Sequence, residues 1–339
     1  MRKITFTAGI VAGLLALAGC SAGTASENSS EESASGSEPV ALDSIQLIVP
    51  ADPGGGWDQT GRALSEALTS NDIVASAPVT NIGGAGGTVG LASLANEKDP
   101  NTLMVTGLVM VGAVETNRAE TRIEDTTPIA RLTEEPLLVV VPADSPHQTL
   151  EDLVQAIKTD GQDVVVTGGS AGGADHILAG LLLTEAGLSS DEIVQKLNYI
   201  PNSGGGEAVT MLLGGNAGAG ISGVAEFSEF VEDGSMRALG VSSAVPAALL
   251  PEVPTITDEG YDVVLTNWRG LVAPGDISDA DRAALTEAVT KAHATDAWQD
   301  TLQKRGWTDA FLTGAEFDEF LNKDISAVGE TLSNIGLVE

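Results

Sequence analysis

Four glycine clusters, each directly behind a strand candidate and ahead of a helix candidate, constrain this chain most. They are Pro53-Gly54-Gly55-Gly56-Trp57-Asp58, Gly83-Gly84-Ala85-Gly86-Gly87-Thr88, Gly168-Gly169-Ser170-Ala171-Gly172-Gly173 and Ser203-Gly204-Gly205-Gly206. Apolar runs at 44–50, 74–80, 102–106, 136–141 and 163–167 read as buried strands, and 58–68, 150–157 and 176–186 have helical spacing. Alternation of this kind predicts an α/β fold with mainly parallel sheets. In open α/β sheets such loops gather at the carboxyl ends of the strands, where ligands bind. A helix N-terminus offers free backbone N–H groups to an anion, and glycine lets the main chain come close and take positive φ. The alternative for each loop is turn chemistry alone. The tail carries no strand signal and reads as three helices, 279–293, 296–306 and 314–335.

Composition narrows the function classes. About 300 residues beyond the N-terminal segment favour two domains. Forty-eight acidic against sixteen basic residues leave a net charge of −32. Such a surface repels nucleic acid, which excludes a DNA or RNA role. It also repels anions at long range, so an anionic ligand has to be held by local groups. The acidity itself fits solubility in a salty habitat. Three scattered histidines, His147, His176 and His293, offer no metal site, and no cofactor is expected. None of the clusters is a P-loop, and 84–90 only loosely matches a dinucleotide fingerprint.

One catalytic reading competes. Gly168-Gly169-Ser170-Ala171-Gly172 fits the G-x-S-x-G nucleophile elbow of a secreted serine hydrolase. Its general base has to be a later histidine. His176 stands six residues on in the same helix candidate, a poor position, and reads better as a cap or packing group beside the loop. His293 stands near the end of another helix. Asp58 reads as a cap of the first helix.

The N-terminus carries its own signal. Arg2 and Lys3 precede an apolar run from Ile10 to Ala18, too short to span a bilayer and shaped like a secretory signal. Leu17-Ala18-Gly19-Cys20 resembles a bacterial lipoprotein box; the alternative is an ordinary signal with an incidental cysteine. Cys20 is the one cysteine of the chain, so no internal disulfide is available. Residues 1–19 are thus expected to be removed and Cys20 to carry lipid. Residues 21–39, rich in Ser and Glu, are expected to be a flexible leash within a tether spanning 20–42, with a reach of about 25 Å. The expected location is extracytoplasmic, lipid-anchored to the cell membrane of a bacterium. A non-binding surface scaffold lipoprotein is a further alternative.

From about Asp43 onward the chain resembles the extracytoplasmic solute receptors of tripartite tricarboxylate transporters. Six stretches carry the resemblance in order: Pro50 with Gly54-Gly55, Asp58 and Arg62; 81–90; 168–180; 204–208 with 213–215; 237–242 with 250–255; and Trp268-Arg269-Gly270-Leu271-Val272-Ala273-Pro274. The resemblance implies a two-lobed periplasmic-binding-protein architecture of the Venus flytrap type II kind. Lobe one is expected at 43–139 plus 265–339 and lobe two at 140–264. It implies a monomer that closes on a small carboxylate, does no chemistry and delivers its solute to membrane permease subunits. In the family, first-lobe loops cradle one carboxylate with backbone N–H groups and ordered waters. That places Gly54, Gly55, Gly56, Trp57, Gly84, Ala85, Gly86, Gly87 and Thr88 at the ligand. Ser170, Ala171, Ser203, Gly204 and Ser222 face them from lobe two. The pattern around Asn267-Trp268-Arg269-Gly270 is closer to the tricarboxylate-binding branch, since the commoner family pattern lacks a basic residue at 269. Two readings stand for Arg269: a bidentate partner for a second carboxylate, as in citrate-like ligands, and a structural ion pair.

Overall fold

The computed structural model describes residues 42–338; the expected signal, Cys20 and nearly all of the expected tether lie outside the described residues. The first elements are β1 (Gln46–Val49), α1 (Gly56–Ser70), β2 (Val79–Asn81), α2 (Thr88–Leu94), β3 (Thr102–Gly107) and α3 (Leu108–Thr116). The long β4 (Thr127–Pro142) follows, then α4 (Leu150–Asp160), β5 (Val165–Gly168), α5 (Ala174–Glu185), α6 (Ser190–Lys196), β6 (Asn198–Pro201) and α7 (Gly205–Leu213). Next come β7 (Ala219–Gly223), α8 (Val224–Glu232) and β8 (Met236–Val241). The chain closes with β9 (Thr266–Ala273), α9 (Asp279–His293), α10 (Asp296–Arg305), β10 (Thr308–Thr313) and α11 (Gly314–Asn334).

The strands run in the order β2-β1-β3-β9-β4-β7-β5-β6, with β10 and β8 also on β4. β1 is parallel to β2 and β3, and β5 is parallel to β6 and β7. The middle is antiparallel throughout: β9 with β3 and β4, and β4 with β7, β8 and β10. The expectation of mainly parallel sheets therefore holds only at the flanks. β9 is the reason at the centre. It returns after the β5–β8 segment is complete and enters the sheet from the opposite end.

β4 changes partners along its length. Residues 127–136 pair with β9, and 137–142 pair with β7 and β8. At the changeover the fully buried Ser242 ties three segments together. Its Oγ accepts the Leu137 N–H at 2.8 Å and donates to the Leu265 carbonyl at 2.5 Å.

Three local expectations need correction. β10 is a strand in the tail that was read as helical; its residues are partly exposed and pair through main chain, so no apolar pattern marks them. The run 74–80 forms strand only from Val79, with a single bridge from Ser76 to Ser44. Helix α3 escaped the reading because Leu108, Met110, Val111, Ala113 and Val114 are all buried. A helix apolar on every side shows no periodicity. The tail helices fall where expected, with Ser278 and Thr295 accepting the Asp281 and Trp298 N–H groups as N-caps.

Most buried apolar side chains form one cluster, and a second, smaller one gathers Leu138 and Val140 of β4 with Leu212 of α7, Phe227 of α8 and Val241 of β8. Trp298 and Phe317 are fully buried, and the Phe317 ring meets the Trp268 indole edge-on at 6.1 Å. Phe317→Ala opens a void between α11 and β9 and is expected to cost about 3–5 kcal/mol of stability, read as a lowered midpoint in urea denaturation.

Candidate ligand-binding site

The turn from β1 into α1 is built around Gly54, whose φ of +104° suits glycine. Its N–H donates to Asp58 Oδ2 at 2.9 Å. Asp58 is therefore not the N-cap, which is Gly55; it reaches back from the first helical turn to hold the loop. Arg62 Nε and Asn81 Nδ2 also donate to it, at 2.8 and 2.9 Å. Burial pushes the Asp58 carboxyl up, but the hydrogen bonds from Arg62, Asn81 and Gly54 outweigh it and hold the group below its ordinary value. The first amides of α1, from Gly56 on, have no acceptor within the helix.

The second loop carries four consecutive residues at positive φ, Gly84, Ala85, Gly86 and Gly87. A Cβ on Gly87 would press on Trp57 and Met110, and one on Gly86 on Ala113. Asn117 at the end of α3 pins this loop by donating to the Ala85 carbonyl at 2.9 Å. Across from it, the loop between β5 and α5 is held by its own helix. Gly169 N–H donates to Asp175 Oδ2 at 2.6 Å, and Gly172 N–H to His176 Nδ1 at 3.2 Å. The His176 ring stacks on Tyr199 at 4.1 Å, and Tyr199 Oη donates to the Gly169 carbonyl. Between β6 and α7, Ser203 N–H donates to Glu207 Oε2 at 2.7 Å.

These loops wall one cavity of ≈ 470 Å³, within the range of small-molecule sites. Gly55, Gly56, Trp57 and Gly84–Gly87 line it from one side; Ser170, Ala171, Ser203, Gly204 and Ser222 line it from the other, and Arg269 completes the wall. Of the expected residues, Gly54 and Thr88 are not on the wall. Gly54 is turned toward Asp58, and the Thr88 hydroxyl donates back to the Ala85 carbonyl.

The wall also holds groups that the sequence reading missed, chiefly Asp175, Glu226, Asn267, Asn117 and Asn202. Just behind it lies Glu135, 1% exposed, whose Oε2 pairs with Arg269 Nη2 at 2.5 Å. Arg269 is 3% exposed, lies over the Trp307 ring at 4.8 Å, and keeps Nε and Nη1 without a partner. Glu135 Oε1 takes the Ala225 N–H at the start of α8, and Glu226 Oε2 takes the Ser222 hydroxyl at 2.5 Å. The one available signal for these acids was their setting: Glu135 precedes the apolar run of β4, and Asp175 and Glu226 each stand in the first turn of a largely apolar helix.

The pair Arg269–Glu135 gives the structural ion-pair reading of Arg269 its geometry and leaves two N–H donors over. The hydrolase geometry is not assembled: among the described residues no histidine hydrogen-bonds Ser170, and His176 Nδ1 is occupied by Gly172. Burial drives the His176 pKa down to about 4, so the ring is a neutral acceptor.

The chain matches the family described as "Tripartite tricarboxylate transporter family receptor" over residues 62–337. A protein from the TAR-I ttuE-ttuC′ intergenic region of Agrobacterium vitis is 31% identical over 254 residues, covering 73% of this chain and 70% of that one. A ligand-free TctC solute binding protein from Polaromonas is 27% identical with a TM-score of 0.63, covering 86% of this chain and 98% of that one. MatC of Rhodopseudomonas palustris with bound malate shares the fold at 21% identity and a TM-score of 0.73, covering 85% and 98%.

Burial raises the Asp175 carboxyl to about 7, with Glu226 and Glu135 adding to the push and the Gly169 N–H and Arg269 opposing it. Asp175 thus binds a proton more tightly folded than unfolded. Its contribution to stability is complete below its ordinary value of 3.8 and is lost as pH rises through about 7. Asp175→Asn is expected to gain stability over the native chain as pH goes from about 5 to about 8. Urea denaturation at both pH values measures the gap; a gap that does not change with pH contradicts the assignment.

Proposed function

Because the chain belongs to the tripartite tricarboxylate transporter receptor family, we propose that it captures a di- or tricarboxylate, citrate-like in class, and hands it to the permease subunits of such a transporter. One observation carries the reading. A cavity walled on one side by glycine main chain also presents Arg269, buried, with Nε and Nη1 unpaired. Buried donors without acceptors are costly, and a ligand carboxylate that reaches either of them relieves that cost. A first ligand carboxylate sits at the amides of Gly56, Trp57, Gly84, Ala85 and Gly86, with Ser170 and Ser203 reaching across. A second sits at Arg269. The malate held by MatC, which shares this fold, supports the ligand class.

The reading includes two lobes, 43–139 with 265–339 and 140–264, hinged where β4 changes partners and Ser242 ties the crossings. It also includes a lipid on Cys20 that keeps the monomeric receptor at the membrane. Intact-mass measurement of protein from native membranes tests the lipid; an unmodified Cys20 rejects it.

The ligand test is titration calorimetry with citrate, succinate and acetate. Micromolar affinity, near −8 kcal/mol, is expected for the polycarboxylates. Replacing Arg269 alone strands the Glu135 charge, so the informative variant is Arg269→Met with Glu135→Gln. It is expected to weaken citrate and succinate at least tenfold and acetate little. Equal loss for all three rejects the second anchor.

A further inference from the structure

We propose that the cleft takes a tricarboxylate together with a proton, seating one ligand carboxyl group against Asp175 and Glu226 so that a hydrogen is shared between acid and carboxylate. The inference rests on the carboxylate-receptor reading and adds a third subsite, of opposite character to the amide seat and to Arg269. Among the described residues on the cavity wall, Arg269 is the one basic side chain, and its Nη2 already belongs to Glu135. One of its two unpaired nitrogens, Nε or Nη1, is left for an ionised carboxylate. Asp175 and Glu226 line the same cavity with no cation of their own. Asp175 has the Gly169 N–H, and Glu226 has the Ser222 hydroxyl. A third ligand carboxylate, as in citrate, therefore meets acceptors on this side. Two like charges in a shared site exclude double ionisation, and a proton between them turns repulsion into a strong hydrogen bond.

The surrounding charges agree. Asp175 on α5 faces Tyr199 on β6, Glu226 on α8, Glu135 on β4 and Arg269 on β9. Glu226 faces Glu135 and Arg269, and Glu207 and Asp52 also line the cavity. His176, beside Asp175, is neutral and supplies no positive charge. Burial and then Glu135 push the Glu226 carboxyl up, in the same direction as Asp175. An incoming anion pushes both further. The complex then holds more protons than the free protein and ligand, so affinity falls as pH rises above the free Asp175 value of about 7.

The experiment is titration calorimetry of the full chain at about pH 8 with citrate, and with succinate as the reference whose two carboxylates are taken by the amide seat and Arg269, in buffers of low and high ionisation enthalpy. Uptake of about one proton per citrate and none with succinate is expected, with citrate affinity falling about tenfold per pH unit above neutrality. Asp175→Asn with Glu226→Gln is expected to abolish the uptake and flatten the pH dependence. Tight citrate binding with no proton uptake by the native chain overturns the proposal and leaves the receptor reading standing. Tighter binding of aspartate than of succinate, without proton uptake, also overturns it, because an ammonium group then answers the acids. No heat with any carboxylate overturns both readings. The buffer series on the native chain needs no variant to fold.

Discussion

Glu135 and Arg269 form the junction on which the cleft depends. Their strands are paired in register, with Glu135 opposite Asn267 and Thr133 opposite Arg269. The pair is almost fully buried. Glu135 spends its other oxygen on the Ala225 N–H, which carries the tie from the central sheet into α8. The room for it is made by absence: a Cβ on Gly56 would overlap the Arg269 guanidinium, and one on Gly223 would lie 2.5 Å from Glu135 Oε1. Breaking such a pair on one side leaves an uncompensated buried charge, a cost of about 3–5 kcal/mol. The pair thus fixes the floor of the cavity before any ligand arrives.

Close packing extends the same logic to the rim. Gly112 on α3 lies so near the Gly172 carbonyl that an added Cβ would overlap it, and Thr116 Oγ1 donates to the Ala171 carbonyl at 3.3 Å. The loop bearing Ser170 is therefore braced against the helix that also pins Ala85 through Asn117. Two loops far apart in sequence are positioned by one helix between them.

The parts legible in sequence were those with local grammar. Strand, glycine turn and helix recur at Gly54–Trp57 and Gly168–Gly173, and the loops do meet at one cavity. The tail helices were legible as well, and the structure caps two of them with Ser278 and Thr295. What escaped depends on partners distant in the chain. α3 has no polar face to reveal it, and β10 owes its strand character to β4 rather than to its own residues. Glu135, Asp175 and Glu226 look like solvated charges in a chain with 48 acidic residues; only packing shows that the first two are buried and the third half-buried around Arg269. Arg269 itself was noticed, yet its ion pair required β4 and β9 to be neighbours.

The loop at Gly84–Gly87 walls the cavity with main chain in a conformation that side chains disfavour. Amides are common to every residue type, so nothing chemical in this wall distinguishes one solute from another. Selectivity is left to the facing acids, to Asn267 and to Arg269. A lineage can exchange those side chains, and with them its solute, while the proposed anion seat stays as it is. The reverse path is narrow: one methyl at Gly86 or Gly87 meets Ala113, Trp57 or Met110. At Gly86 and Gly87 the absence of a side chain is a packing requirement, and the side chains free to change stand across from them.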